Sequence, residues 1–325
     1  MAAPTAQVAY DLSPFLRVYK DGKVERLMGT EIVPPSADDH EGVHYKDVVI
    51  QAETGVSARL YKPKTTDPSG KLPLLLYFHG GAFFVQTAFS PTYHNFLTSL
   101  AGEAKVLVVS VDYRRAPEHP LPAAYDDSWA AVKWAAAGGD PWLRDYANLE
   151  RLFFAGDSAG ANISHNLAMR VGSDGLEGGK LVGIILMHPY FWGKDPIGNE
   201  AELVEVRATL ERFWALACPT SAGTDDPWIN PVADRNLGGL GCREVMVCVA
   251  ERDPLRERGW LYAKALRKSG WKGRVEMVES EGEGHVFHLD YPNSEKTMAL
   301  LRRVADFCNQ GNADHDGCTM AGCTT

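Results

Sequence analysis

From position 74 onward the chain is punctuated by short apolar runs: Leu74 to Phe78, Val106 to Val111, Leu152 to Ala155, Leu181 to Met187, Val245 to Ala250 and Arg274 to Val278. Each has the length of a strand. Most are apolar at successive positions rather than alternate ones, the pattern of strands buried on both faces. Between them the period changes. The segments "AAYDDSWAAVKWAAA" and "RGWLYAKALRKSG" space their apolar residues as one face of a helix does, and the second ends on Gly270, suited to a helix C-terminus. This alternation predicts an α/β fold with a mostly parallel central sheet and helices on both faces. No internal repeat interrupts it.

Two regions depart from the pattern. Residues 1 to about 45 contain "YKDGKVERL", where Asp21-Gly22 predicts a tight turn, followed by the loop-like "VPPSADDHEG". Residues 190 to about 230, rich in aromatics, proline, glycine and acids, fall between two core strands. Both are expected to cap the C-terminal edge of the sheet, with Phe15, Leu16, Phe191, Trp192, Phe213 and Trp214 shaping a cavity beneath. Residues 1–308 are expected to form one domain with these insertions. The tail 309–325 is polar without apolar period and is expected to be disordered.

Composition narrows the function classes. A formal net charge of -9 without a basic stripe argues against a nucleic-acid partner, which needs cations to displace counterions. The N-terminus lacks the charged and apolar regions of a secretory leader, and the apolar runs are too short to span a bilayer. The six cysteines form no C-x-x-C pair and no zinc-spaced cluster with histidine, which fits reduced thiols in the cytosol. "GLEGGKL" resembles a P-loop only superficially, since position 174 is aspartate and Leu181 replaces the hydroxyl residue. No metal or cofactor is expected.

The chemistry begins at "LFFAGDSAGANISHNLAM". A chance G-x-S-x-G in a chain of this length has odds on the order of one in ten, so the motif gains its weight from context. Leu152 to Ala155 read as a buried strand, while Ile163, Leu167 and Val171 recur at helical spacing. Ser158 is thus expected on a sharp strand-to-helix turn that exposes its hydroxyl as a nucleophile. Such a serine needs a base, an acid to orient that base, and donors for an oxyanion. Asp253, three residues past "VMVCVA" and followed by proline, is preferred as the acid over Glu251, with Asp225 and Asp226 as rivals. His285, in a loop loosened by Gly282 and Gly284, is preferred as the base over His288. The order serine, acid, histidine is that of α/β-hydrolase sheets. In "LLLYFHGGAFF" a strand runs into Gly80 and Gly81, whose backbone N–H groups are expected, with that of Ala159, to form the oxyanion hole.

"HGGAFF", "VDYRRAPEHPLPAAYDD", "GDSAGAN", "ERDPLRERG" and "GEGHVFH" resemble the motifs of plant carboxylesterases, in the hormone-sensitive-lipase-like branch of the α/β hydrolases. "FLRVYKDGKVERL" resembles their N-terminal signature, and the likeness extends over most of the chain up to the polar tail. The resemblance implies the α/β-hydrolase fold, Ser158, Asp253 and His285 as the triad, and Gly80, Gly81 and Ala159 at the oxyanion hole. One departure is Ala82, where many relatives carry a third glycine. The implied activity is hydrolysis of small-molecule carboxylic esters through an acyl-enzyme. Relatives that dehydrate 2-hydroxyisoflavanones or convert tuliposides suggest a specialised lyase or acyl transfer as the alternative. A non-catalytic role like that of the gibberellin receptors is disfavoured, because the histidine replaced in those receptors is present here. The oligomeric state is left open.

Overall fold

The computed structural model describes residues 7–36, 41–64 and 70–310. The predicted tail lies, beyond its first two residues, outside the described residues, as do Cys318 and Cys323. Three short strands open the chain: β1 (Val8–Leu12), β2 (Leu16–Tyr19) and β3 (Val24–Arg26) form an antiparallel sheet of their own. The expected turn joins β2 to β3, and Gly22 there takes φ +87°, a left-handed conformation that glycine adopts without steric cost.

The main sheet begins with β4 (Val43–Gln51), β5 (Val56–Pro63) and β6 (Leu72–Phe78), then α1 (Pro91–Ala104), β7 (Leu107–Asp112), α2 (Ala123–Ala136) and α3 (Pro141–Tyr146). It continues through β8 (Ala147–Asp157), α4 (Ala159–Asp174), β9 (Leu181–Met187), α5 (Val204–Ala217) and β10 (Glu244–Ala250). The chain then forms α6 (Arg256–Lys268), β11 (Arg274–Ser280), α7 (Phe287–Asp290) and α8 (Glu295–Asn309). The eight strands lie in the order β11-β10-β9-β8-β6-β7-β5-β4. From β11 to β7 all neighbours are parallel, while β5 is antiparallel to both β7 and β4.

All six predicted strands are present. The two that apolar runs did not signal, β4 and β5, are polar for a physical reason: Arg59 of β5 is fully buried and pairs with Asp47, its cross-strand neighbour on β4, at 2.7 and 2.9 Å. A buried charge is tolerated when it is paired and hydrogen-bonded. The central strands bury both faces. Leu74, Leu76 and Phe78 pack with residues of α2, α4 and α6, whereas Leu75 and Tyr77 pack with α1 and α8. Gly270, the expected helix stop, follows α6 at φ +88°.

The insert between β9 and β10 is tied down by a buried ion pair. Arg258 of α6 donates to Glu200 at 2.7 and 2.5 Å, donates to the Asp195 carbonyl, and lies 5.3 Å over the Trp192 ring. The N-terminal sheet reaches the same insert through Phe15, whose ring meets Phe213 of α5 edge-on at 5.0 Å.

Candidate active site

The parallel strands end together, and the chemistry gathers where they end. β8 finishes at Asp157, Ser158 takes φ 51° and ψ -115°, and α4 starts at the next residue. That conformation is strained for a non-glycine residue, at a cost of about 1–3 kcal/mol, and it persists because the surroundings fix it. Ser158 N–H donates to the Met187 carbonyl at 2.9 Å, and the Ser158 carbonyl accepts from Tyr190 N–H at 3.0 Å. The flanking glycines are demanded by close approach. A Cβ on Gly160 would sit 1.8 Å from the Phe78 carbonyl oxygen, and one on Gly156 would sit 2.4 Å from the Gly160 carbonyl carbon.

Asp253 lies three residues past β10, as expected. Its Oδ1 accepts Leu255 N–H at 2.9 Å, and its Oδ2 accepts His285 Nδ1–H at 2.8 Å. With that proton on Nδ1, Nε2 is the acceptor for the Ser158 hydroxyl, 3.0 Å away. The three residues preferred from the sequence are therefore brought into one hydrogen-bonded chain. The rivals are not. Asp226 is engaged by Ser221 and Trp228, and Asp225 faces Lys194 and Asn230. His288 is fully buried beside Phe96 and lowered to about 3 by burial and by the charge of His285. Glu251 instead accepts Gly282 N–H at 2.6 Å, bracing the loop that carries His285.

Burial opposes the charged form of His285, but the Asp253 carboxylate, by charge and hydrogen bond, with Asp157 and Asp290 beyond it, outweighs this and holds the imidazole above its ordinary value. For Asp253 burial works upward, and the charge and hydrogen bond of His285 prevail to keep it below the usual carboxylate range. The sequence reading missed His188, at the end of β9. Its Nδ1 accepts Val286 N–H at 2.6 Å and lies 3.9 Å from Asp253 Oδ2, so it props the loop that carries His285. His188, Asp253 and His285 offer three ligand atoms within 4.8 Å of one another, the one such cluster among the described residues. Both imidazole Nδ1 atoms there have protein partners.

The loop after β6 corrects one expectation. Gly80 N–H is spent on Tyr93 Oη at 2.8 Å and Asp157 Oδ1 at 3.2 Å, so it is not available as an oxyanion donor. Gly81 and Ala82 face the site instead, at φ +92° and +54°, and among the described residues no acceptor meets their N–H groups. Ala159 N–H, at the first position of α4, is one of the donors a helix start leaves free. Asp157 is the second residue that sequence reasoning passed over. It is fully buried, accepts from Tyr77 and Tyr93 at 2.8 and 2.9 Å, and leaves no room for a side chain on Gly80, where a Cβ would meet its Oδ2 at 2.3 Å. Burial pushes its carboxyl up to about 6 against the tyrosine hydrogen bonds and the charge of His285. Tyr77 is legible only as part of the buried run Leu74 to Phe78, and nothing local shows that it shares a carboxylate with Tyr93 and the glycine loop.

Ser158 and His285 open onto a cavity of about 360 Å³. Of the six aromatic and aliphatic residues expected to shape it, Phe15 and Phe213 do line it, joined by Met28, Leu210 and Tyr190. Leu16, Phe191, Trp192 and Trp214 are buried core instead. A second depression, of about 420 Å³, lies against α5 beside Lys194 and Arg207, away from Ser158 and His285.

Comparison with known proteins agrees with this geometry. Residues 75–289 match the family described as alpha/beta hydrolase fold. The chain is 49% identical to "Probable carboxylesterase 2" of Arabidopsis thaliana over 96% of its own length and 100% of that protein's. It is 44% identical to "2-hydroxyisoflavanone dehydratase" of Glycyrrhiza echinata, covering 93% and 96% of the two chains. Among solved structures, a hyperthermophilic esterase from the archaeon Pyrobaculum calidifontis superposes with a TM-score of 0.69 at 28% identity, over 82% of this chain and 85% of that one. With the parallel sheet, the serine elbow and likeness along nearly the whole chain all in agreement, the protein belongs to the plant carboxylesterase family of α/β hydrolases.

Proposed function

We propose that the protein is a serine carboxylesterase that hydrolyses small-molecule carboxylic esters. One observation carries this reading: an unbroken chain of hydrogen bonds, 2.8 Å from Asp253 to His285 and 3.0 Å from His285 to Ser158, ends at a cavity large enough for a small ester. Ser158 Oγ attacks the ester carbonyl while His285 Nε2 takes its proton, and Asp253 stabilises the imidazolium that forms. The oxyanion is held by the N–H groups of Gly81, Ala82 and Ala159, each contributing roughly 2.7–4 kcal/mol to lowering the barrier. His285 then protonates the leaving alcohol, and a water activated by the same imidazole releases the acid. The N-terminal sheet and the insert bearing α5 form the cap, through the contact of Phe15 with Phe213. Four buried free cysteines, among the described residues, fit the reducing cytosol expected from the sequence.

Ser158→Ala tests the reading directly. Turnover of aryl acetates should fall at least about 10⁴-fold with the circular dichroism unchanged, and a phosphonate should label wild-type protein at Ser158 alone. Labelling elsewhere would overturn the assignment. The dehydratase named among the relatives keeps a second reading in play, elimination driven by His285 without an acyl-enzyme. Dehydration of a hydroxylated flavanone by the Ser158→Ala variant would favour it.

A further inference from the structure

The cavity wall beyond the triad carries a charge that the protein leaves unmatched. Among the described residues no lysine or arginine lines the cavity, and two carboxylates other than that of Asp253 do, Asp157 and Asp290. Asp157 is saturated by Tyr77, Tyr93 and Gly80. Asp290 is different. It is exposed, it closes the single turn of α7, and among the described residues its carboxylate has no hydrogen bond and no ion pair. An acid gains nothing from the free carbonyls at the C-terminal end of a helical turn, so the local fold does not account for it. Its charge nevertheless reaches the catalytic imidazole, where it is among the groups that favour protonation of His285. Gln86 and Thr92 also line the cavity and bring side-chain hydrogen-bonding groups that lack protein partners among the described residues. The rest of the wall is largely apolar, and a low-dielectric wall lengthens the reach of a fixed charge.

We propose that Asp290 is a specificity-determining residue that makes the cavity select esters whose non-reacting part is cationic or carries a hydrogen-bond donor, and reject esters that carry a carboxylate there. The proposal rests on the esterase reading, because it concerns the same cavity. A bound anion would lose its hydration and meet the like charge of Asp290, with no cation among the described lining residues to offset it. A substrate ammonium or hydroxyl would instead find the acceptor that the protein has left open.

Four phenyl acetates with methyl, hydroxymethyl, trimethylammonium or carboxylate at the para position share the acetyl group and differ in the charge of the alcohol part. Comparing wild-type protein with Asp290→Asn cancels their intrinsic reactivities. In the variant, kcat/KM for the carboxylate relative to the methyl compound should rise about five- to tenfold, and that for the trimethylammonium compound should fall by a similar factor. Both wild-type ratios should move toward the variant's values at 1 M salt, where the screening length is about 3 Å. Ratios that Asp290→Asn leaves within twofold of wild type would overturn the proposal. Failure of wild-type protein to hydrolyse even the methyl compound would instead count against the esterase reading. The proposal would then be read from the dissociation constants of 4-hydroxybenzoate and 4-hydroxyphenyltrimethylammonium, which should shift in opposite directions in the variant and refute it if they do not.

Discussion

At the residue scale the proposed base is held in a state that shapes its pH response. His285 must be neutral to take a proton, and Asp253, Asp157 and Asp290 together keep its imidazole above the ordinary value, against the pull of burial. The sign follows: kcat/KM should be full above this raised value and fall as the pH drops through it, with an apparent pKa above the ordinary 6.5 or so. Asp253→Asn removes the foremost of the groups that raise it. Its acidic limb should therefore move to lower pH while kcat drops by about 10⁴, because the imidazole also loses its orientation; a limb that stays in place would show that Asp253 does not set the titration. Asp157 acts one step further back. In Asp157→Asn the amide would present a donor to Tyr77, Tyr93 or Gly80, which already donate to this position. The glycine loop should loosen, kcat for aryl acetates should fall about 10- to 100-fold with KM within threefold, and phosphonate should still label Ser158. Unchanged kcat would show that the carboxylate serves the fold alone.

Elements place these residues by bringing backbones closer than side chains allow. The elbow works because α4 packs directly on the end of β6, with Gly160 against the Phe78 carbonyl. Gly160→Ala should lose more than about 4 kcal/mol of stability or fail to fold, since the new Cβ would strike the Phe78 and His79 carbonyls, backbone groups that cannot swing away. Gly175, past the far end of the same helix at φ +77°, has nothing within 4 Å of a built Cβ. At φ +77° and ψ 178° the backbone is in a region kept almost wholly for glycine, so its alanine variant should cost about 1–3 kcal/mol, from conformation alone. Urea unfolding of the two variants separates close packing from backbone strain, and equal losses would remove the packing account. The strand ends were legible because buried parallel strands leave continuous apolar runs. β4 and β5 were not, because polar residues interrupt their apolar ones, among them Arg59 and Asp47, which meet across the sheet, and a charge in a sequence does not announce its partner.

At the scale of the whole molecule, two regions far apart in the chain meet over one site. Phe15 from the N-terminal sheet and Phe213 from α5 close the same cavity wall, and Arg258 with Glu200 anchors the insert to the core. Removing residues 1–20 should open that wall while leaving the proposed triad on the main sheet. KM for aryl esters should rise severalfold, the preference among acyl chain lengths should flatten, and phosphonate labelling should persist. Phe15→Ala, which leaves the small sheet intact, should change KM in the same direction by a smaller factor. A folded truncation with unaltered KM and selectivity would show that this segment is no lid.

The sequence by itself determined the alternation of strands and helices, the elbow at Ser158, and the order of serine, acid and histidine, because apolar period and glycine placement are local properties written in consecutive residues. The choice of Asp253 and His285 over their neighbours also came from local context, from their positions just past strands. Tertiary structure alone decided which glycine keeps a free N–H, since Gly80 surrenders its own to a tyrosine and a carboxylate from elsewhere in the chain. It decided as well that Phe15 and Phe213 face the cavity while Phe191, Trp192 and Trp214 are core. In composition these aromatics are alike. What separates them is the direction each side chain takes once the sheet, the insert and the N-terminal strands have packed, and no stretch of consecutive residues encodes that direction.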